Sequence, residues 1–237
     1  MPIHKLKLIK REEIANQTWL FHFEKPDGFT FIPGQYGGFT LIEPSETDAG
    51  GITRRFSLLS IPSDDHIAIA TRSQQSAYKR VLNALPLGSE IKFAGPTGAF
   101  TLHDDTTIPA VFIAGGIGVT PFYSMIRHAL EKQPQRQLFL FYGNQTLDDA
   151  ALLQELQDLQ HRHPQLKLIA TLALPQPEWQ GESGFITHTL IKKHIPNLAQ
   201  PIFYVCGSPT MVSTLHETLQ EMGIDESRIK VEDFPGY

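Results

Sequence analysis

Four short stretches carry residue types and spacings that could do chemistry. The first is Ala114-Gly115-Gly116-Ile117-Gly118-Val119-Thr120-Pro121, which follows an apolar run and opens a helical pattern. Glycines there let the backbone approach a ligand, and a helix start offers unpaired amides and a positive dipole end to an anion. Pro121 suits the first turn, where its missing amide would be unpaired anyway. The stretch suits a dinucleotide pyrophosphate. It lacks the Lys-Ser/Thr of a P-loop and departs from G-x-G-x-x-G at Pro121. A tight strand-to-helix turn with no ligand would use the same residues. The second stretch, Val205-Cys206-Gly207-Ser208-Pro209-Thr210-Met211, also follows an apolar run and opens a helix. Cys206 there is either a small core hydrophobe or a thiol facing a ligand at a strand end.

The third stretch is Arg54-Arg55-Phe56-Ser57-Leu58-Leu59-Ser60. Alternation sends Arg54, Phe56 and Leu58 to one side and Arg55 and Ser57 to the other. An aromatic can stack on a planar ring, an arginine can fork a phosphate, and a hydroxyl can bond a ring nitrogen. A solvated strand with two basic residues is the plain alternative. The fourth, Thr71-Arg72-Ser73-Gln74-Gln75-Ser76, leads into a helix. Ser76 either caps that helix or leaves its amides to a phosphate.

These stretches need elements to position them. The first hundred residues read as strands: Lys5–Leu8, Thr18–Phe23 with Trp19, Phe21 and Phe23 on one face, Gly37–Ile42, Arg55–Leu59 and His66–Thr71. One helix is predicted at Ser76–Leu85. This predicts an antiparallel sheet or barrel with one helix. The second half alternates apolar runs (Ala110–Ala114, Gln137–Tyr142, Leu166–Leu172, Ile202–Cys206, Ile229–Phe234) with helical patterns at Pro121–Lys132, Leu147–His161, Thr187–His194 and Thr210–Met222. That predicts an α/β doubly wound, parallel, five-stranded sheet covered on both faces. The boundary is expected near Leu102–Thr107, giving domains 1–104 and 105–237. Ligands of the second domain are expected beyond the carboxyl ends of its strands.

Composition narrows the chemistry. The net charge of −5 over 237 residues leaves no basic surplus for nucleic acid. A single cysteine cannot build a disulfide, an iron–sulfur site or a structural zinc site. His161 and His163 sit together only at a charged helix end, so no metal site is expected. Redox chemistry would therefore use an organic cofactor. No run reaches membrane-span or signal-peptide length, and a cytoplasmic protein is expected.

The order Arg-x-aromatic-Ser (Arg54–Ser57), Gly95-Pro96-Thr97-Gly98, Gly-Gly-x-Gly-x-Thr-Pro (Gly115–Pro121) and Cys-Gly-x-Pro-x-Met (Cys206–Met211) resembles the ferredoxin–NADP⁺ reductase superfamily. Pro33-Gly34-Gln35-Tyr36 and Val231-Glu232-Asp233-Phe234 fit the same pattern, and the resemblance runs from about residue 3 to 237. It implies that the first half is an antiparallel Greek-key β-barrel holding a flavin and that the α/β domain holds a nicotinamide dinucleotide. Arg54 would bind a flavin phosphate, and Phe56, where the family usually has Tyr, would pack on the flavin beside Leu58. Ser57 would bond flavin N5, while the backbone of Ile69, Ala70 and Thr71, with Ser76, would hold the phosphate chain. Gly115, Gly116, Gly118 and Thr120, with Tyr142, Gly143, Gly207 and Met211, would shape the dinucleotide site. Cys206 would line the nicotinamide pocket and Glu232 would orient the nicotinamide, so that Ser57, Cys206 and Glu232 form the catalytic set. Phe234, favoured by spacing over Tyr237, would cover the flavin.

The resemblance implies FAD rather than FMN. Gln145 stands where related reductases often carry Arg, Leu147–Gln160 holds no Lys or Arg, and Asp148 and Asp149 would repel a 2′-phosphate, so NADH is expected over NADPH. Arg127, Lys132 and Arg136 are the nearest residues that could reverse this by folding back. The implied enzyme is a stand-alone reductase, monomeric by default. It would pass electrons to a separate ferredoxin or flavodoxin, with free flavin, a haem protein or a quinone as alternative acceptors. A non-catalytic electron-transfer subunit of a larger complex is the non-enzymatic alternative.

Overall fold

The computed structural model describes residues 2–73 and 76–234. Six strands, β1 (Ile3–Ala15), β2 (Thr18–Glu24), β3 (Tyr36–Leu41), β4 (Thr53–Ser57), β5 (His66–Arg72) and β6 (Glu90–Thr97), form an antiparallel sheet in the order β4-β3-β6-β1-β2-β5. The sheet curls until its ends nearly meet, and the Leu59 amide donates to the Ala68 carbonyl at 2.8 Å just beyond β4. Alternation decides what goes inside. Leu6 and Leu8 of β1, Phe21 and Phe23 of β2, Phe39 of β3 and Ile91 and Phe93 of β6 fill one core. Helix α1 (Ala77–Ala84) closes that core with Tyr78, Val81 and Leu82, and the Tyr78 hydroxyl donates to the Phe39 carbonyl at 2.9 Å.

The second half is a parallel sheet of β7 (Ala110–Gly115), β8 (Leu138–Asn144), β9 (Leu166–Leu172), β10 (Glu182–Ser183), β11 (Ile202–Gly207) and β12 (Ile229–Asp233), in the order β10-β9-β8-β7-β11-β12. Helices α2 (Val119–Lys132) and α3 (Leu153–Arg162) contribute to the core on one face. Helices α4 (His188–His194) and α5 (Pro209–Glu221) contribute to the core on the other. Accordingly Ala110, Phe112 and Ala114 of β7 face the first layer, while Val111 and Ile113 face the second. The chain winds outward from β7 through β10 and returns to the other side of β7 at β11. The switch point therefore lies between Gly115 and Gly207.

Several features differ from the sequence expectation. The parallel sheet has six strands, because Glu182 and Ser183 pair with Thr171 and Leu172 of β9. Two residues are too short to leave a periodic signal. Strand β6 was not expected, although Glu90-Ile91-Lys92-Phe93-Ala94 alternates. Leu147–His161 is not one helix. A 3-10 turn at Leu147–Asp149, locked by the reciprocal Thr146–Asp149 cap, is followed by Leu152 at φ 62°, and α3 starts only at Leu153. A left-handed residue cannot sit inside a right-handed helix.

The two halves pack against each other. Leu20, Leu59, Ala68 and Ala70 on the outer barrel face share a core with Phe122 and Met125 of α2. Ser124 donates to the Ser60 carbonyl at 2.6 Å, and Arg127 forks Asp64 at 2.8 and 2.9 Å. The connection between the halves is pinned by Tyr204, whose hydroxyl meets the His103 amide at 2.9 Å, and by buried Arg136, which donates to the His103 carbonyl at 2.8 Å. Burial and the neighbouring Arg136 and Lys230 charges press the His103 pKa down and keep its ring neutral. Among the described residues, no helix is long and apolar enough to cross a membrane.

Candidate active site

Two of the clefts between the halves hold expected site residues. The first, about 570 Å³, has walls from Tyr36, Arg54, Arg55, Ser57, Glu232 and Phe234 among others, so the barrel and the last strand of the α/β domain build it together. Antiparallel register sets Ser57 opposite Tyr36 at the end of β4, and parallel register sets Glu232 beside Cys206. Ser57 is only 5% exposed, and its Oγ has no protein partner. Glu232 Oε2 is buried in the same way. Burial first, and Asp233 second, push the Glu232 carboxyl up to about 7. This cleft therefore holds a hydroxyl and a carboxyl that burial biases toward its protonated form, both short of a hydrogen-bonding partner.

The second cleft, about 430 Å³, lies on the strand ends at the switch point, with Gly115, Gly116, Gly143, Asn144, Ser208 and Met211 in its wall. Gly116 takes φ 51°, a conformation that glycine adopts without cost. Gly118 is buried beneath, and a Cβ on it would lie 2.9 Å from the Gly207 Cα and closer still to the Cys206 carbonyl group. Only glycine lets the turn after β7 lie against the turn after β11. Thr120 Oγ1 donates to the Ile117 carbonyl at 3.0 Å and closes that turn, and Ser208 caps α5 by accepting from the Met211 amide at 3.4 Å.

The expected site residues thus separate into two groups. Arg54, Ser57, Glu232 and Phe234 meet in the first cleft, and Gly115, Gly116, Gly143 and Met211 in the second. The others stand behind them. Phe56 packs on Phe39 and Tyr78 at centroid distances of 5.8 and 6.0 Å, and Leu58 is enclosed in the barrel core. Neither is in the wall where a ring-stacking residue was expected, because Arg55 and Ser57, of opposite pleat, face the cleft together with Arg54. Ile69, Ala70 and Thr71 lie on β5, the end strand of its sheet, whose second edge has no strand partner at those residues. Ser76 caps α1 by accepting from the Lys79 amide at 3.3 Å. Tyr142 is buried with its hydroxyl donating to the Ala151 carbonyl at 2.8 Å. Gly207 is buried, and its carbonyl accepts from the Phe234 amide at 3.0 Å, which ties the covering segment to the α/β domain. Cys206 is fully buried and belongs to neither cleft wall. Burial pushes its thiol well up, so it is neutral and not a nucleophile. Tyr237 lies outside the described residues.

Sequence reasoning did not assign Arg72, Asn144 or Phe185 to the dinucleotide site. Arg72 crosses from β5 into the second cleft with Nε unpartnered, and Asn144 presents an unpartnered Oδ1. Among the described residues, four of the nine buried polar atoms without partners lie on residues of the two cleft walls. Buried polar groups are ordinarily paired, so both clefts fit polar ligands. The signal for Arg72 was its place at the end of an alternating strand beside Ser76. Phe185 gave no signal, being an exposed aromatic in a loop.

The comparisons with known proteins agree. The oxidoreductase NAD-binding domain family matches residues 112–217. NADH-cytochrome b5 reductase 1 of Mortierella alpina is 30% identical over 231 residues, 94% of this chain and 76% of that protein. The chain belongs to the ferredoxin–NADP⁺ reductase superfamily. It is an oxidoreductase of the flavin- and NAD(P)H-dependent type. A flavohemoprotein of Oceanobacillus iheyensis is 27% identical over 238 residues, and the chain, 96% of which aligns, spans 58% of that longer protein. The cytochrome b5 reductase domain of Ulva prolifera nitrate reductase superposes with a TM-score of 0.84 over 98% of this chain and 97% of that one, at 23% identity. That likeness is one of fold: barrel first, doubly wound domain second.

Proposed function

We propose that this protein is an NADH-oxidising reductase that holds FAD in the first cleft and NADH in the second. Its electrons pass to a separate one-electron carrier of the ferredoxin or flavodoxin class. Residues 1–104 serve the flavin and 105–237 the dinucleotide. The observation that carries this reading is the pair of unpartnered polar atoms, Ser57 Oγ and Glu232 Oε2, on residues of one cleft that both domains build.

When bound, a flavin accepts hydride from a dihydronicotinamide and can release the electrons singly; the cofactors supply the chemistry and the protein the geometry. Hydride transfer needs the reacting atoms about 3–3.5 Å apart. On this reading Ser57, pinned at the end of β4, offers its hydroxyl to the reacting ring nitrogen. Glu232, about half protonated near pH 7, hydrogen-bonds the nicotinamide amide without burying a full charge. Phe234, in the wall of the first cleft, would cover the flavin and would have to move aside for a nicotinamide to reach the same face. Arg54 and the start of α1 take the flavin phosphate. Gly115 and Gly116, with Ser208, Thr210 and Arg72, take the dinucleotide pyrophosphate.

The preference for NADH is supported by what surrounds the second cleft. Arg127 is held on Asp64, Lys132 lies 2.6 Å from Glu131, and Arg136 is buried under the inter-domain connection. Arg72 is the one Lys or Arg in the cleft wall among the described residues, and the pyrophosphate claims it. A haem-protein acceptor is the second reading, favoured by the cytochrome b5 reductase and flavohemoprotein relatives. Purified protein mixed with FAD should gain flavin absorbance near ~450 nm that NADH bleaches anaerobically. Protein that binds no flavin refutes the proposal, and a larger kcat/KM with NADPH refutes the NADH preference. Turnover with ferredoxin, flavodoxin and cytochrome in parallel decides the acceptor.

A further inference from the structure

The loop before β4 carries a carboxylate to the place that the flavin phosphate needs. Asp48 Oδ2 accepts from the Ala77 amide, the first of α1, at 2.7 Å. Its Oδ1 accepts from the Gly50 amide at 2.9 Å and from Arg54 Nη2 at 3.2 Å. Arg54 is further turned into the same loop, donating to the Gly51 and Thr53 carbonyls at 3.0 and 2.9 Å. A second latch lies alongside, where Arg80 of α1 forks Glu46 at 2.9 and 2.5 Å. Left-handed backbone brackets the segment, Glu43 at φ 44° and Gly51 at φ 71°.

These contacts are the ones a phosphate would make: a guanidinium and the amides of a helix start. The Ala77 amide above all, with Arg54, holds the Asp48 carboxyl below its usual range, so it is charged at neutral pH. Burial above all, with the Arg54 and Arg72 charges nearby, lowers the Lys79 pKa, so three cationic side chains lie close together at this end of the barrel. The unpartnered Ser57 Oγ, on a residue in the wall of the same cleft, indicates independently that the cleft takes a ligand.

Resting on the reading that Arg54 and the start of α1 receive the flavin phosphate, we infer that Asp48 is an internal competitor for that phosphate. A carboxylate and a phosphate cannot share one guanidinium and one helix start without like-charge repulsion. The flavin enters as the 43–52 loop lets go, and the loop re-enters as the flavin leaves. The flavin is therefore held exchangeably, with an affinity lowered by the cost of displacing Asp48.

Titration of flavin-free protein with FAD, FMN and riboflavin, followed by flavin fluorescence, tests this. Asp48→Asn keeps an oxygen for the Ala77 amide and removes the charge, and Asp48→Ala removes the group outright. The expected result is FAD and FMN binding at least ten-fold tighter in one or both variants, with riboflavin, which has no phosphate, unchanged. FAD affinity that is equal or weaker in both variants overturns the inference and leaves the flavin reading standing. Tightening of riboflavin by the same factor as FAD also overturns it, because the effect is then not at the phosphate. Failure of wild type and variants alike to bind any of the three overturns the flavin reading, and this inference with it.

Discussion

Replacing Glu232 by Gln should reverse part of the pH dependence of stability in the flavin-free protein. The carboxyl ordinarily titrates at 4.5 and in the fold at about 7, chiefly because β12 carries it into the cleft wall away from water. A raised folded pKa means that the folded state binds the proton more tightly than the unfolded chain does. The stabilisation is complete below about 4.5 and is lost as pH rises through about 7. At about 1.4 kcal/mol per pH unit the whole difference amounts to roughly 3.4 kcal/mol. Glu232 borders an open cleft, where solvent screens the charge, so about half of that is expected. Urea unfolding of wild type and Glu232→Gln at pH 5 and pH 8 would measure it. Most of the titration falls in that interval, so wild type should lose about 1 kcal/mol more stability than the variant. The difference between the two proteins cancels the titrating groups that do not interact with Glu232. Parallel curves would refute the burial argument for Glu232, and a variant that loses more than wild type would invert its sign.

Three further outcomes follow from the clefts. Arg72→Ala should raise KM for NADH about ten-fold, the loss of one charge-assisted contact, while FAD affinity stays the same; an unchanged KM would remove Arg72 from the dinucleotide site. Phe234→Ser should tighten nicotinamide binding by removing the competitor for the flavin face, which equilibrium titration with NAD⁺ would detect, and unchanged affinity would count against Phe234 as the cover. Gly118→Ala should destabilise the fold by about 2 kcal/mol through overpacking, because its methyl meets the Cys206–Gly207 backbone; thermal unfolding with an unaltered Tm would show that the two turns are not in fixed contact.

The elements were legible wherever burial imposes a period. Leu6 and Leu8, Phe21 and Phe23, and the continuous run of Ala110–Ala114 lie in the cores that their patterns predict. What broke the pattern was local. Leu152 in a left-handed conformation interrupts a fifteen-residue helical periodicity, and the pairing of Glu182 and Ser183 is imposed by β9 and not by their own residues. The glycine-containing turns were legible for a related reason, since backbone that must approach backbone excludes every side chain.

Side-chain direction at the site was less accessible. Arg54, Ser57, Gly115 and Gly116 stand out by residue type and Glu232 only through the family resemblance, and the structure sets Arg54, Ser57 and Glu232 in one cleft wall and Gly115 and Gly116 in the other. The resemblance implied that Cys206 lines the nicotinamide pocket. In the structure Cys206 is fully buried, because its strand lies between β7 and β12 with helices on both sides. Arg72 belongs to the barrel in sequence and to the dinucleotide cleft in space, and Asp48 reaches Arg54 and α1 across a loop whose composition says nothing of either. Sequence determined the two-domain architecture and the residue chemistry it carries, since both rest on local periodicity and side-chain type. Only the tertiary structure decided which groups share a cleft, which stand behind it and which anion Arg54 already holds, because those depend on contacts between residues far apart in the chain.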